Sequence, residues 1–205
     1  TTFAKAVAST VSVPFINVRC GDLVNSFIGE TGKNIGRLFE DVRRFIREQR
    51  TSVVLFMDEF DEIARSRDSD NKTAQEAVPA LLAQLDGFET DDSDMIIIAA
   101  TNFAELIDRA IMDRCRNQIL VPLPTKEDRK KIFESKFKQS NLEDAILNRI
   151  DFDEAARKSD GLSGRKIKMV TESFMRQLVM SDIENRGETV DVNALLAELI
   201  ERERG

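Results

Sequence analysis

The chain has 205 residues, of which 41% are hydrophobic and 33% charged, and its formal net charge is −7. Such a composition is typical of a globular protein, and the length suits one compact domain or two small ones. Because the chain has no histidine and only two cysteines, a Ser-His-Asp triad, a His-paired cysteine nucleophile, an HExxH zinc site and a four-cysteine zinc site are all excluded.

The two cysteines and the first residues of the sequence bear on the cellular compartment of the protein. Cys20 and Cys115 are far apart in sequence and make no disulfide framework. We therefore expect reduced thiols in the cytoplasm or another reducing intracellular compartment. No apolar stretch approaches the roughly 20 residues of a membrane helix, so we predict no transmembrane segment in this chain. The sequence starts at Thr1 without a Met or a signal peptide, and we expect the numbering to begin part-way through a longer protein.

Four short apolar runs are candidate strands. They are residues 15–18, 53–57, 95–100 and 118–121. The second and third runs are continuous rather than alternating and end in polar residues. This pattern is typical of strands that are buried on both faces of a parallel sheet.

Apolar residues at helical spacing separate these runs. One predicted helix face begins at Ile35 and ends at Ile46, and another begins at Val78 and is stopped by Gly87. The alternation of strands and helices predicts a doubly wound α/β sheet. After Pro122-Leu123-Pro124 only helical spacing remains, so we predict a large α/β unit over residues 1–122 and a small all-α unit over residues 123–205.

Polar side chains follow two of the predicted strands. Asp58 and Glu59 follow the run at 53–57, and Asn102 follows the run at 95–100. Ligands of open parallel sheets bind outside the carboxyl ends of the strands. An Asp there can hold Mg²⁺, a Glu can activate a water for attack on phosphorus, and an amide can orient that water. Each residue taken alone also fits an ordinary cap or turn.

Several segments together resemble the ATPase module of the AAA branch of the AAA+ ATPases, which are P-loop NTPases. The matching segments are VVLFMDEFDEI at 53–63 (the Walker B strand), LLAQLDGF at 81–88, IIIAATN at 96–102 (the sensor 1 strand) and GLSGR at 161–165 (the lid motif). The resemblance implies a parallel AAA+ sheet with flanking helices, followed by a small helical lid. The family's first strand and phosphate loop are absent from this chain.

The resemblance also implies roles for the residues at the strand ends. Asp58 would support Mg²⁺, Glu59 would be the catalytic base and Asn102 would be the sensor 1 residue. The family's phosphate loop leads into a helix similar to residues 2–8, which makes Thr1 the hydroxyl that ligates Mg²⁺ and places Thr1 and Thr2 beside ATP. The Gly-Lys pair that cradles the phosphates is not present, so we expect the chain as written to bind nucleotide poorly.

Arginines near the end of the α/β unit are candidates for a shared site. Counted back from Pro122-Leu123-Pro124, Arg114 falls where the family places its first arginine finger, which reaches the γ-phosphate of the next subunit. The family's second arginine falls at Asn117, a departure from the pattern. Arg116 is offset from this position by one residue. It either takes the place of the second arginine or is an ordinary surface charge.

The lid motif implies further contacts with the nucleotide. Gly164 and Arg165 begin a long predicted helix, whose N-terminus favours phosphate. Arg165 either reaches the nucleotide or is an ordinary surface residue, and the residues alone do not decide between these. Ile132 would pack on the adenine by resemblance only, and its spacing with Phe133 also fits a core position.

A candidate substrate loop lies before the first long helix. Phe27-Ile28-Gly29 matches the family's first pore loop, in which an exposed aromatic grips an extended polypeptide. The alternative is that Phe27 and Ile28 cover the core. Arg65-Ser66-Arg67 lies where a second pore loop would be, although basic loop tips are usually only solvated.

The resemblance implies an ATP-hydrolysing, Mg²⁺-dependent module that self-associates into a ring, expected to be a hexamer, and remodels, unfolds or disassembles protein substrates. One alternative is an ATP-binding assembly scaffold with little hydrolysis, which the Asn117 departure favours. Another is a DNA-handling AAA+ protein, but the acidic balance argues against nucleic acid. A zinc protease of the kind that some family members carry is not encoded here, since histidine is absent.

Overall fold

The computed structural model describes residues 2–25, 27, 29–67, 72–87, 94–140, 142–184 and 191–204, with the backbone alone at residues 2 and 181–184. The chain divides into two compact units, Thr1–Gln118 and Ile119–Gly205. The boundary predicted after residue 122 lies slightly further along the chain. Within the described ranges, no helix is both long enough and apolar enough to cross a membrane.

The first unit contains a parallel sheet. Its strands are β1 Phe15–Arg19, β2 Val53–Asp58 and β3 Met95–Ala99, in the order β1-β2-β3. Arg19 pairs with Asp58, and Met57 pairs with Ala99. The carboxyl ends of the three strands therefore reach the same edge of the sheet, as the predicted parallel α/β fold requires.

Helices flank this sheet. The described helices of the first unit are α1 Thr2–Val11, α2 Glu30–Gln49, α3 Asp61–Ala64, α4 Lys72–Asp86 and α5 Arg109–Met112. The predicted apolar face of α2 is confirmed, since Ile35, Phe39 and Val42 are buried. Gly87 follows α4 in a turn, which confirms the predicted stop.

β2 is the centre of the first core. All five residues from Val53 to Met57 are buried, and the ring of Phe15 stacks on that of Phe56 with 5.9 Å between the centroids. A fully buried side chain of this size contributes about 1.5–3 kcal/mol. The continuous apolar run follows from burial on both faces of the strand, and it fixes the position of the polar residues that come next.

The strand predicted at residues 118–121 is wrong. Ile119, Leu120 and Val121 lack a ladder partner among the described residues and expose 67%, 89% and 76% of their surface. A β-branched run has a strand preference, but that preference is expressed through pairing with a neighbour. The sheet of the described chain offers this segment no such neighbour.

The second unit is helical in its described part. Its helices are α6 Lys126–Lys138, α7 Asp144–Leu147, α8 Phe152–Lys158, α9 Gly164–Glu184 and α10 Val192–Arg204. The unit has a core of its own, in which the rings of Phe137 and Phe174 meet edge to face at 5.2 Å. Thr125 begins α6 with a capping box that involves Asp128. The predicted helices around Phe133 and Phe174 are confirmed.

Candidate active site

The turns that follow β2 and β3 are hydrogen-bonded to each other. The N–H of Ala100 donates to the carbonyl of Met57, and the N–H of Phe60 donates to the carbonyl of Ala100, both at 2.9 Å. These bonds continue the parallel ladder beyond the strands. Asp58, Glu59 and Asn102 consequently lie at one edge of the sheet, as the strand pattern predicted.

Glu59 has an unusual backbone conformation. Its φ is +55°, which is uncommon for a residue with a long side chain. Its N–H donates to Oδ1 of Asp58 at 3.1 Å, and about half of its side-chain surface is exposed. The turn therefore directs the Glu59 carboxylate away from the buried strand and towards solvent.

Arg19 is a site residue that the sequence did not indicate. It ends β1, and its Nη2 lies 3.2 Å from Oε2 and 3.5 Å from Oε1 of Glu59. This contact depends on the register of β1 on β2, which apolar spacing does not reveal. The only sequence signal was a charged residue at the end of the strand predicted at residues 15–18.

Negative charge concentrates around the strand ends. Burial and, to a smaller extent, the charges of four neighbouring carboxylates together raise the pKa of Cys20 to about 12. Those carboxylates belong to Asp58, Asp61, Glu59 and Glu62. The thiol stays protonated at neutral pH and is not a nucleophile. The same field favours a divalent cation at this edge.

The residues present fit a magnesium site that substrate phosphates complete. Mg²⁺ is usually held by one or two carboxylates together with phosphate oxygens and waters. Asp58 supplies a carboxylate at the strand end. No group of three or more potential metal ligands occurs in the described part of the chain. Thr1 lies outside the described residues, and only the backbone of Thr2 is described, as the first residue of α1.

Arg114 is bound within its own chain. It follows α5, and its Nη2 donates to Oδ2 of Asp86 at 2.9 Å, while its Nε donates to Oδ1 of the same carboxylate. Its Nη1 donates to the carbonyl of Ala110 at 2.9 Å. The hydrogen bond from Arg114 holds the pKa of Asp86 below its usual range. The candidate arginine finger therefore has a defined orientation at the end of α4.

The candidate pore loop presents an exposed aromatic ring. Phe27 exposes 74% of its surface and so does not cover the core, while Ile28 lies outside the described residues. Gly29 has a φ of +82°, a conformation that favours glycine. The N–H of Glu30 donates to the carbonyl of Phe27 at 3.2 Å. The base of the loop is fixed further by the N–H of Asn25, which donates to the hydroxyl of the buried Thr31 at 3.1 Å.

The segment predicted as a second basic loop is engaged in ion pairs. Arg65 lies 3.6 Å from the carboxylate of Asp61, and Arg67 lies 3.1 Å from that of Asp108. Burial raises the pKa of Asp108, but hydrogen bonds from the N–H of Ala110 and from Arg67 outweigh burial and hold that pKa below its usual range. These arginines fasten the loop to α3 and α5 rather than being only solvated.

The lid residues lie together at the start of α9. The Cδ1 atom of Ile132 is 3.8 Å from the position that a Cβ on Gly164 would occupy. Ile132 is half-buried at the margin of the second core, and Arg165 is exposed. Ile132 and Gly164 are therefore neighbours within the second unit.

Comparison with known proteins identifies the family. A family model described as ATPase family associated with various cellular activities (AAA) matches residues 1–123. Proteasome-activating nucleotidase 1 of Haloferax volcanii is 38% identical over 183 residues, which cover 85% of this chain and 42% of that protein.

Two further relatives are less similar in sequence, and this chain covers a smaller share of their length. The cell division cycle protein 48 homolog of Archaeoglobus fulgidus is 33% identical over 83% of this chain and 22% of its own length. The ATP-dependent zinc metalloprotease FtsH 2 of Salinibacter ruber is 30% identical over 82% of this chain and 24% of its own length. The chain thus spans less than half of each of these three relatives. The family match over residues 1–123, together with the strand-end residues Asp58, Glu59 and Asn102, shows that this chain belongs to the AAA family of ATPases.

Proposed function

We propose that this chain is the motor module of a Mg²⁺-dependent ATPase that works as a ring, hexameric by our expectation, and that unfolds or remodels protein substrates through the ring pore. One observation carries the proposal. The hydrogen-bonded turns after β2 and β3 hold Asp58, Glu59 and Asn102 at one sheet edge. A metal-supporting carboxylate, a base and an amide at one edge are the set that hydrolysis of a phosphoanhydride needs.

Each residue at this edge has a distinct task. Asp58 supports the metal, which neutralises charge on the β- and γ-phosphates when bound. Glu59 accepts the proton of the attacking water, and Asn102 orients that water. Thr1 and Thr2 would contribute at the phosphates, and Ile132, Gly164 and Arg165 at the rest of the nucleotide.

Arg114 would complete the site of a neighbouring subunit. A guanidinium that reaches the γ-phosphate stabilises charge in the transition state and is worth about 10³–10⁵ in rate. Such an arrangement makes hydrolysis depend on assembly. It explains why Arg114 lies at the surface of its own chain, about one-third exposed, rather than in the core.

A protein substrate is supported by the loop at Phe27 to Gly29. An exposed ring can grip many unrelated sequences by apolar contact, because it does not depend on particular partners for hydrogen bonds. Two of the relatives carry names that concern the proteasome and protein cleavage, which agrees with this class of substrate. Nucleic acid is not proposed as a partner, since the net charge is −7.

Subunit mixing tests the shared site. In the full-length protein, Glu59→Gln and Arg114→Ala should each stop ATP turnover. When the two variants are mixed, a site with an intact Glu59 can lie beside a neighbour with an intact Arg114. Activity should therefore return on mixing. If the mixture stays inactive although the subunits exchange, the trans assignment of Arg114 is wrong.

The second candidate function is an assembly scaffold that binds ATP and turns it over slowly. The observation behind it is that Arg114 already makes three hydrogen bonds within its own chain, while Asn117 stands at the second arginine position. A scaffold would assemble tightly with ATP and show hydrolysis near zero at every protein concentration. A motor would show a rate per subunit that climbs as the concentration rises.

A further inference from the structure

Thr101 lies directly before Asn102, and its side chain is hydrogen-bonded to the residue directly after Asn102. Its hydroxyl accepts a hydrogen bond from the N–H of Phe103 at 2.9 Å. The same hydroxyl donates to Oδ1 of Asp61 at 2.6 Å. That distance lies in the range of about 2.5–2.7 Å for charge-assisted O–H···O⁻ bonds, which are roughly twice as strong as neutral ones.

Asp61 is a buried carboxylate close to the catalytic base. It begins α3, two residues after Glu59, and only 5% of its surface is exposed. Its second oxygen faces Arg65, with 3.6 Å between Oδ2 and Nη2. Both oxygens therefore have partners inside the first unit.

Backbone and side-chain contacts thus join the turn of the base to the turn of the amide. The two backbone bonds at Ala100, to Met57 and from Phe60, set how far apart the two turns lie at that one residue. The bond from Thr101 to Asp61 adds a second point of attachment, and two points fix an orientation that one point leaves free. Asn102 lies directly beyond the second point, and its side chain is exposed.

We propose that Asp61 is a positioning residue for ATP hydrolysis. Through Thr101, it holds Asn102 at a fixed angle to Glu59, so that the base and the amide address one water. This inference rests on the proposed function. Asp61 touches neither metal nor nucleotide in this role. Misplacement of a reacting group by about 1 Å can lower a rate by two orders of magnitude, so a loosened turn should be visible in turnover.

Substitutions of Thr101 test the proposal in the full-length protein. Thr101→Val removes the hydroxyl and keeps the shape, and kcat should fall about tenfold while KM for ATP changes by less than about twofold, because orientation and not binding is lost. Thr101→Ser retains the hydroxyl and should keep a kcat within about threefold of the natural protein. A purely structural role would instead affect the melting temperature and leave kcat of the folded enzyme unchanged.

Thr171→Val provides a matched control. Thr171 is buried in the second unit, and its hydroxyl donates to the carbonyl of Ile167 at 2.9 Å. The variant loses the same chemical group away from the strand ends. It should keep kcat, even where its melting temperature falls as much as that of Thr101→Val.

A double-mutant cycle with Asp61→Ala, which removes both acceptor oxygens, separates the possible outcomes. If Thr101 and Asp61 act through one bond, the loss of kcat in Asp61→Ala plus Thr101→Val should be close to that of either single variant. Additive losses, or a Thr101→Val enzyme with natural kcat, would overturn the positioning role while Glu59→Gln remains inactive. If the natural protein itself fails to hydrolyse ATP, the proposed function falls, and this inference falls with it.

Discussion

Arg114 and Asp86 form a bidentate ion pair within one chain, between the second residue after α5 and the last residue of α4. Its Nη1 also donates to the carbonyl of Ala110, and the three bonds together hold the guanidinium in one orientation. A finger that serves a neighbour must therefore either act from this orientation or leave Asp86 during the cycle. In both cases the starting position of the Arg114 guanidinium is set by Asp86 at the end of α4, which lies 28 residues earlier in the sequence.

Arg114→Ala is expected to lower kcat for ATP by about 10³–10⁵. Binding of a non-hydrolysable ATP analogue should persist, because the arginine acts on transition-state charge in the neighbouring site. Steady-state hydrolysis and analogue binding in the assembled protein measure the two effects. Arg109→Ala removes an exposed arginine from α5, the helix that precedes Arg114, and serves as the control. A rate above about one-tenth of the natural rate would contradict the assignment.

Arg19→Ala should raise basal hydrolysis. The ion pair to Glu59 competes with water for the carboxylate, and both partners are more than half exposed. Exposed pairs contribute at most about 1 kcal/mol, so the expected rise in kcat is about two- to fivefold. Initial rates at saturating ATP, without protein substrate, provide the measurement. A fall in kcat would mean that Arg19 holds Glu59 in its productive position.

Phe27→Ala should abolish the unfolding of protein substrates. The ring of Phe27 exposes 74% of its surface just before α2. Truncation of an aromatic anchor weakens binding of the partner by roughly tenfold or more. The readout is the number of fluorescent test-protein molecules unfolded for each ATP hydrolysed. Phe45→Ala removes an exposed ring that lies within α2 and should retain coupling. Equal coupling in both variants would refute the pore loop.

The Asp108 carboxylate should make the stability of the folded chain depend on pH in the acid range. The pKa of Asp108 is lowered in the folded chain, so its stabilising effect is complete above the unfolded pKa of about 3.9 and is lost as the pH falls through the lower folded value. Asp108→Asn should lower Tm at pH 7 by roughly 3–10 °C. Thermal melts from pH 7 to pH 2.5 should show this difference shrinking below pH 4. A constant difference would refute the linkage.

The sequence predicted those parts of the fold whose environment leaves a regular pattern. Val53 to Met57 is a continuous apolar run because β2 is buried on both faces, and the polar residues after it could be placed for the same reason. The helix around Phe39 was equally predictable from one apolar face. The run at residues 118–121 misled, since apolar composition cannot show whether a pairing partner exists.

Contacts that depend on register and side-chain geometry could not be predicted. Arg19 meets Glu59 only because β1 pairs with β2 in one of several possible registers. Asp61 meets Thr101 across a sequence separation of 40 residues. The pairing of Arg114 with Asp86 likewise joins two helix ends. Spacing within one element has no bearing on any of these contacts.

Glu59 also shows where this fold gives up stability for activity. A residue other than glycine at a φ of +55° lowers the free energy of unfolding by about 1–2 kcal/mol. Glu59→Gly should therefore unfold at a higher temperature than the natural chain while losing all turnover, a trade-off expected where a reacting residue occupies an unfavourable backbone position. Selection for thermal tolerance alone would replace the residue that we propose as the catalytic base.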